Sequence, residues 1–65
     1  MTETANKIIF FMIKQLSTFS HGYKEIVEGA YDAAINNYGY EAPIEGKDKI
    51  VNKVLDILAR LDKDV

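Results

Sequence analysis

Six consecutive apolar residues, Ile8 to Ile13, constrain the fold more than any other feature of this chain. The segment around them has the spacing of an amphipathic helix, in which residues three and four apart share a face. At about 100° per residue, six residues in a row go all the way round such a helix. One intramolecular core therefore cannot cover all of them, and we expect a second copy of the chain to cover the remainder.

The size and composition of the chain leave few other sources of stability. It has 65 residues, no Cys and one His. A chain this short buries only about 60% of the surface that its unfolded form exposes. Because disulfides and thiolate metal sites are excluded, we expect no metal and no cofactor. Either the helices fold alone, or oligomerisation supplies the missing stability.

The periodicity predicts an all-α fold, a small three-helix bundle-like arrangement forming one domain over 1–65. The predicted helices lie near 3–19, 22–38 and 47–62. Their predicted inner faces are Ala5, Ile8, Ile9, Met12, Leu16 and Phe19; Tyr23, Ile26, Val27, Ala30, Tyr31, Ala34 and Tyr38; and Ile50, Val51, Val54, Ile57, Leu58 and Leu61.

Local signals mark the ends of these helices. Thr2 or Thr4 is a candidate N-cap, because a hydroxyl accepts from the free N–H groups of the first turn. Gly39 suits the left-handed residue that follows a helix, and Pro43 prevents the helix from resuming. We expect Ile44, in the loop after Gly39, to be tucked under the bundle.

The two adjacent phenylalanines, Phe10 and Phe11, project away from the inner stripe of the first helix. Three interpretations are open: Phe10 or Phe11 lies under the 40–46 loop or against the third helix of the same chain, or the two rings belong to a homodimer interface, or they form a docking face for another protein. Phe and Met are enriched at interface centres, which favours self-association. The predicted interface residues are Ile9, Phe10, Phe11, Ile13 and Lys14.

Two features of the second helix have a structural and a functional interpretation. Glu25, Glu28 and Asp32 form an acidic stripe, which is either a solvated face or a contact for a protein with a basic surface. The small residues from Gly29 to Ala34 indicate close approach of another helix, because glycine inside a helix costs about 1 kcal/mol relative to alanine. That helix belongs either to the same chain or to a second copy.

The functional expectation is a non-enzymatic protein–protein interaction module, a small adaptor or inhibitor. His21 has Ser17, Thr18 and Ser20 nearby in sequence, but no orienting acid completes a catalytic set. The alternative is a small nucleic-acid-binding regulator acting as a dimer. A net charge of −2 and a pI near 5.2 argue against it, since nucleic acids attract basic surfaces. We predict a cytoplasmic protein without a membrane span.

Overall fold

A computed structural model of the chain describes residues 1–16 and 24–63. Within these ranges the chain forms three α-helices and no strand: α1 (Glu3–Leu16), α2 (Lys24–Asn36) and α3 (Lys47–Lys63). Each helix contacts the other two, so the all-α, three-helix prediction is confirmed. Predicted positions 17–19 of the first helix and 22–23 of the second lie outside the described residues.

The core is built from one stripe of each helix and is entirely apolar among the described residues. In α1, the predicted stripe from Ala5 to Leu16 is buried, which confirms the phase of that helix; Phe19 lies outside the described residues. The buried hydrophobic residues are Ala5, Ile8, Ile9, Met12, Leu16, Val27, Tyr31, Ala34, Ile50, Val51, Val54 and Leu58. Because these residues recur at helical spacing, burial fixes how each helix is rotated about its own axis.

The predicted inner faces are too wide at three positions. Ile26 is 47% exposed, Tyr38 60% and Leu61 45%. Ile26 precedes the buried Val27 and is therefore turned about 100° away from it, towards the outside of the bundle. Tyr38 lies beyond the last residue of α2, and Leu61 lies almost one turn beyond Leu58, the last buried residue of α3.

Thr2 caps α1 and ties it to the loop before α3. Its hydroxyl oxygen accepts a 3.1 Å hydrogen bond from the N–H of Ala5, which confirms the predicted cap. The same hydroxyl donates to Glu45 Oε1 at 3.0 Å, and the Thr2 backbone N–H donates to Glu45 Oε2 at 2.6 Å. The Thr2 N–H holds the pKa of the Glu45 carboxyl below its usual value.

The connection from α2 to α3 contains two glycines with positive φ. Gly39, at φ +75°, lets the chain turn so that the Tyr40 N–H donates to the Ala34 carbonyl at 3.0 Å. Gly46, at φ +92°, precedes α3, and its carbonyl accepts the N–H of Ile50. These bonds satisfy backbone groups at the end of α2 and the start of α3.

The prediction that Ile44 lies under the bundle is wrong, because Ile44 is 90% exposed. The Gly46 N–H donates to the Pro43 carbonyl at 3.2 Å and closes a tight turn. Ile44 occupies the corner of that turn, where a side chain points to solvent. The loop buries Pro43 instead.

Candidate interaction surface

Phe10 lies on the side of α1 that faces away from the core. It is 66% exposed, as the helical phase predicts. The Lys14 ammonium lies over its ring, 5.5 Å from the centroid, at a distance typical of a cation–π contact. An exposed aromatic ring with a lysine beside it combines apolar area with a charged rim, a composition common at protein interfaces.

Phe11 is half-buried, and two tyrosines from the segment just after α2 cover it. Its ring centroid lies 4.9 Å from that of Tyr38 and 4.8 Å from that of Tyr40, with the ring planes tilted by 53° and 40°. These distances are typical of favourable aromatic pairs. Phe11 therefore has partners within its own chain. For this ring, the first of the three interpretations is confirmed in part.

The within-chain interpretation included the loop that begins at Tyr40, but sequence reasoning did not identify Tyr38 as a partner of Phe11. The signal that pointed towards them was Gly39, which stands between the two tyrosines and reverses the chain at φ +75°. The helical spacing of the sequence instead places Tyr38 on the inner face of the second helix. Because the turn carries both rings to the α1 side, the aromatic cluster instead forms between α1 and the end of α2.

Two shallow hollows adjoin this cluster, one on each side of Phe11. The first, about 230 Å³, lies between the outer flanks of α1 and α2 and is lined by Phe11, Gln15, Leu16, Ile26, Ala30, Ala33 and Tyr38. The second, about 370 Å³, is lined by Phe10, Phe11, Lys14, Gln15 and Tyr40. Phe10, the aromatic cluster and the two hollows thus form one connected surface on the outside of α1 and α2, mostly apolar and edged by Lys14 and Gln15, here called the outer surface.

The remaining predicted interface residues of α1 occupy different environments. Ile9 is buried in the core of its own chain and presents almost no area to a partner. Ile13 is half-buried and packs against the core. Lys14 is exposed and borders the outer surface. Phe10, Phe11 and Lys14 are therefore the members of the predicted set that a partner could contact most directly.

The small residues of α2 do not all serve close packing within the chain. Ala34 is buried, but Gly29 is exposed, and a Cβ added to it would meet no described atom within 4 Å. For Gly29, the prediction of close packing inside one chain is wrong, because Gly29 lies on the solvent side of α2. Within the described residues, the fold gives no packing reason for a glycine at this position.

The acidic stripe of α2 is on the opposite flank from the outer surface. Asp32 accepts two hydrogen bonds from the Lys47 ammonium, at 2.9 and 3.1 Å, and so links α2 to α3. The hydrogen bond to Asp32 raises the pKa of Lys47 above its usual value. Glu25 is exposed and Glu28 half-buried. Asp32, one of the three carboxylates predicted to face a partner, is thus bound to a lysine of its own chain.

The structure also bears on metal binding and membrane insertion. In residues 1–16 and 24–63, no group of three or more His, Cys, Asp or Glu side chains is close enough to hold a metal ion. None of the helices described is long and apolar enough to cross a membrane. His21, Ser17, Thr18 and Ser20 lie outside the described residues.

Comparison with known proteins adds no relative. The chain matches no family model, and neither the curated proteins nor the solved structures include a significant match.

Proposed function

We propose that the chain is a non-enzymatic protein-interaction module that pairs with a second copy through the outer surface around Phe10. The exposure of Phe10 is the observation that carries this proposal, because 66% of a large apolar side chain remains in water. Adjacent to it lie the half-buried ring of Phe11 and the partly covered ring of Tyr40. Contiguous apolar area of this kind on a soluble domain is typical of an interaction site.

The expected affinity is low. Full burial of one Phe side chain contributes about 1.5–3 kcal/mol, and because Phe10 is already partly covered, at 66% exposure, its two copies contribute roughly 2–4 kcal/mol. Lost translational and rotational freedom opposes association by at least about 4 kcal/mol. The aromatic rings beside Phe10 must therefore also bury apolar area if association is to be favourable. A dissociation constant near 1 mM, typical of a transient complex, corresponds to a net gain of about 4 kcal/mol, which the neighbouring rings must supply because the Phe10 contribution and the entropic cost nearly cancel.

Sedimentation velocity tests the proposal with a matched pair of variants. The wild-type chain, Phe10→Ser and Ile44→Ser are compared from roughly 10 µM to 1 mM. Ile44 is even more exposed than Phe10 but lies on the α2–α3 loop, so its substitution controls for the loss of any exposed apolar residue. Wild type and Ile44→Ser are expected to sediment faster as concentration rises, while Phe10→Ser stays monomeric and folded by circular dichroism.

Two results would contradict the proposal. The first is a wild-type chain that remains monomeric at the highest concentration. The second is an equal loss of association in Ile44→Ser and Phe10→Ser, which would indicate unspecific hydrophobic contact.

No observation favours the nucleic-acid alternative. The basic groups of α3 are partly paired with carboxylates: Lys47 binds Asp32 at 2.9 Å, and Arg60 binds Asp56 at 2.9 Å. Phosphate contacts require lysines and arginines that present a net positive surface. These carboxylates therefore reduce the net positive charge of the α3 face that would have to contact a nucleic acid.

A further inference from the structure

Four exposed residues follow one line along the outside of α1. Glu3, Lys7, Phe10 and Lys14 are spaced four, three and four residues apart, the spacing of the contact positions in paired helices. At about 100° per residue they lie within roughly 60° of one another around the helix. All four are exposed. This line, here called the outer seam, is the part of α1 best placed to meet another helix.

The outer seam carries charge of opposite sign at its two ends. Glu3 is in the first turn of α1, and Lys14 is in the last. If a second copy of α1 lies antiparallel, Glu3 of each copy faces Lys14 of the other. The same register places Phe10 of each copy against Lys7 of the other. The charges at the two ends of the outer seam are therefore complementary to those of a second, antiparallel copy.

The competing arrangement, a parallel pair, lacks this complementarity. It would set Glu3 against Glu3 and Lys14 against Lys14, and like charges facing each other are destabilising. In the antiparallel register the aliphatic stem of Lys7 also covers part of the facing Phe10 ring, with its ammonium left in water. The two Phe10 rings then lie about 4.5 Å apart along the helix axes, near enough to contact each other.

The ion pair that Glu3 makes within one chain opposes pairing with a second copy only weakly. The Glu3–Lys7 ion pair is long, at 3.9 Å, and both side chains are mostly exposed. Surface pairs of this kind contribute little to stability. Lys14 lies over Phe10, so its ammonium is already at the outer seam where Glu3 of the second copy arrives.

We propose that two copies pair through antiparallel α1 helices, with Glu3 of each copy facing Lys14 of the other and the two Phe10 rings between them. This inference rests on the proposed function and adds the orientation and register of the complex. The pair is isologous, so both copies use the same residues, and it closes as a dimer.

Cysteine cross-linking tests the register directly, because the chain contains no Cys of its own. Glu3→Cys and Lys14→Cys are prepared as separate variants and oxidised in a glutathione redox buffer, alone and mixed. In the antiparallel register, two copies of residue 3 are about 16 Å apart along the axis. A disulfide requires Cα atoms within about 7 Å. We expect a cross-linked dimer in the mixture and almost none in either variant alone.

Ile44→Cys is the matched control for random collision, since its side chain is exposed on the α2–α3 loop. It is oxidised under the same conditions and sets the background for cross-linking. A mixture of Glu3→Cys and Lys14→Cys must exceed that background at least severalfold. The mixed dimer keeps one native Glu3–Lys14 pair, so the substitutions do not remove both ionic contacts.

Charge reversal gives a second readout that needs no cysteine. Glu3→Lys and Lys14→Glu each set two pairs of like charges across the antiparallel interface, and should weaken the dimer about threefold to tenfold. The double variant Glu3→Lys/Lys14→Glu restores both pairs and should recover most of the lost affinity. In a parallel pair, none of the three variants relieves or adds a like-charge contact.

The outcomes separate failure of the register from failure of the proposed function. Strong cross-linking of Glu3→Cys with itself would overturn the antiparallel register in favour of a parallel one. A dimer by sedimentation with no cross-link above background would place the interface on another face and also overturn the register. A wild-type chain that is monomeric by sedimentation would overturn both proposals.

Discussion

Phe10 and Phe11 are neighbours in sequence and lie in different environments. Phe11 packs against two tyrosine rings of its own chain, at centroid distances of 4.9 and 4.8 Å. Phe10, one residue earlier and about 100° round the helix, is 66% exposed. Their difference arises from a turn more than twenty-five residues away, where Gly39 carries Tyr38 and Tyr40 over one ring and leaves the other uncovered.

The largest effect should come from the opposite side of α1, where Met12 is fully buried. Met12→Ala should lower the free energy of unfolding by about 2–5 kcal/mol, because it leaves a cavity in the core. At a low protein concentration, where the chain is monomeric, Phe10→Ala should change the free energy of unfolding by less than about 0.5 kcal/mol. Urea denaturation followed by circular dichroism measures both.

Met12→Leu is the control for Met12→Ala, since it keeps the volume and should cost less than about 1.5 kcal/mol. If Phe10→Ala destabilised the monomer as strongly as Met12→Ala, the assignment of Phe10 to the outside of the bundle would fail.

Phe11→Ala should have an effect between these two extremes. Full burial of a Phe gives a cost of about 3–5 kcal/mol on truncation, and half-burial suggests about 1.5–2.5 kcal/mol. A double-mutant cycle with Tyr40→Ala should give a coupling energy of about 0.5–1.5 kcal/mol, the range for aromatic pairs. The same cycle with Phe10 in place of Phe11 should give nearly zero. Equal coupling in the two cycles would mean that Tyr40 does not distinguish the rings.

Thr2→Ala tests the cap that holds α1 in place. The substitution removes the hydroxyl that accepts from Ala5 and donates to Glu45. We expect a loss of about 1 kcal/mol in thermal unfolding. Thr2→Ser keeps the hydroxyl and should retain most of the stability. A Thr2→Ser variant as unstable as Thr2→Ala would show that the methyl group, and not the cap, matters.

Gly29→Ala should stabilise the isolated chain by up to about 1 kcal/mol, because the added Cβ meets no described atom within 4 Å. For a chain of this size the melting temperature should rise by roughly 4–8 °C. A fall in melting temperature at low concentration would indicate an intramolecular contact at this glycine.

Acid should weaken the link between α1 and the loop before α3. Since the folded chain lowers the pKa of Glu45, its carboxylate adds stability that is fully present above the ordinary Glu pKa. That stability is lost as the pH falls through the lowered folded value. The melting-temperature difference between wild type and Glu45→Gln should therefore be largest near neutral pH and vanish in strong acid. A difference that does not change with pH would contradict this role for the carboxylate.

The sequence predicted the features that depend on local spacing. The buried stripe from Ala5 to Leu16, the Thr2 cap and the left-handed Gly39 follow from helical period and backbone preference. The wrong predictions concern side chains whose surroundings come from distant parts of the chain or from turn geometry. Ile44 is apolar but occupies a turn corner, and Phe11 meets rings that only the turn at Gly39 brings near.

At the candidate site, too, the sequence predicted what depends on helical spacing and missed what depends on distant parts of the chain. Helical phase alone predicted that Phe10 faces outwards, because no distant element is needed to leave a residue exposed. Ile9 was predicted both for the inner face and for the interface, and helical phase could not decide between the two, since that depends on how the other helices pack against α1. The hollows beside Phe11 likewise depend on the distance between α1 and α2.

An NMR dilution series of the ¹⁵N-labelled wild-type chain tests most directly whether the outside of α1 pairs two copies. The account predicts that amide shifts of Glu3, Lys7, Phe10 and Lys14 change together with concentration and fit one dissociation constant, while Ile44 stays constant. Shifts that do not change with concentration, or that change along α3 and not along α1, would contradict it.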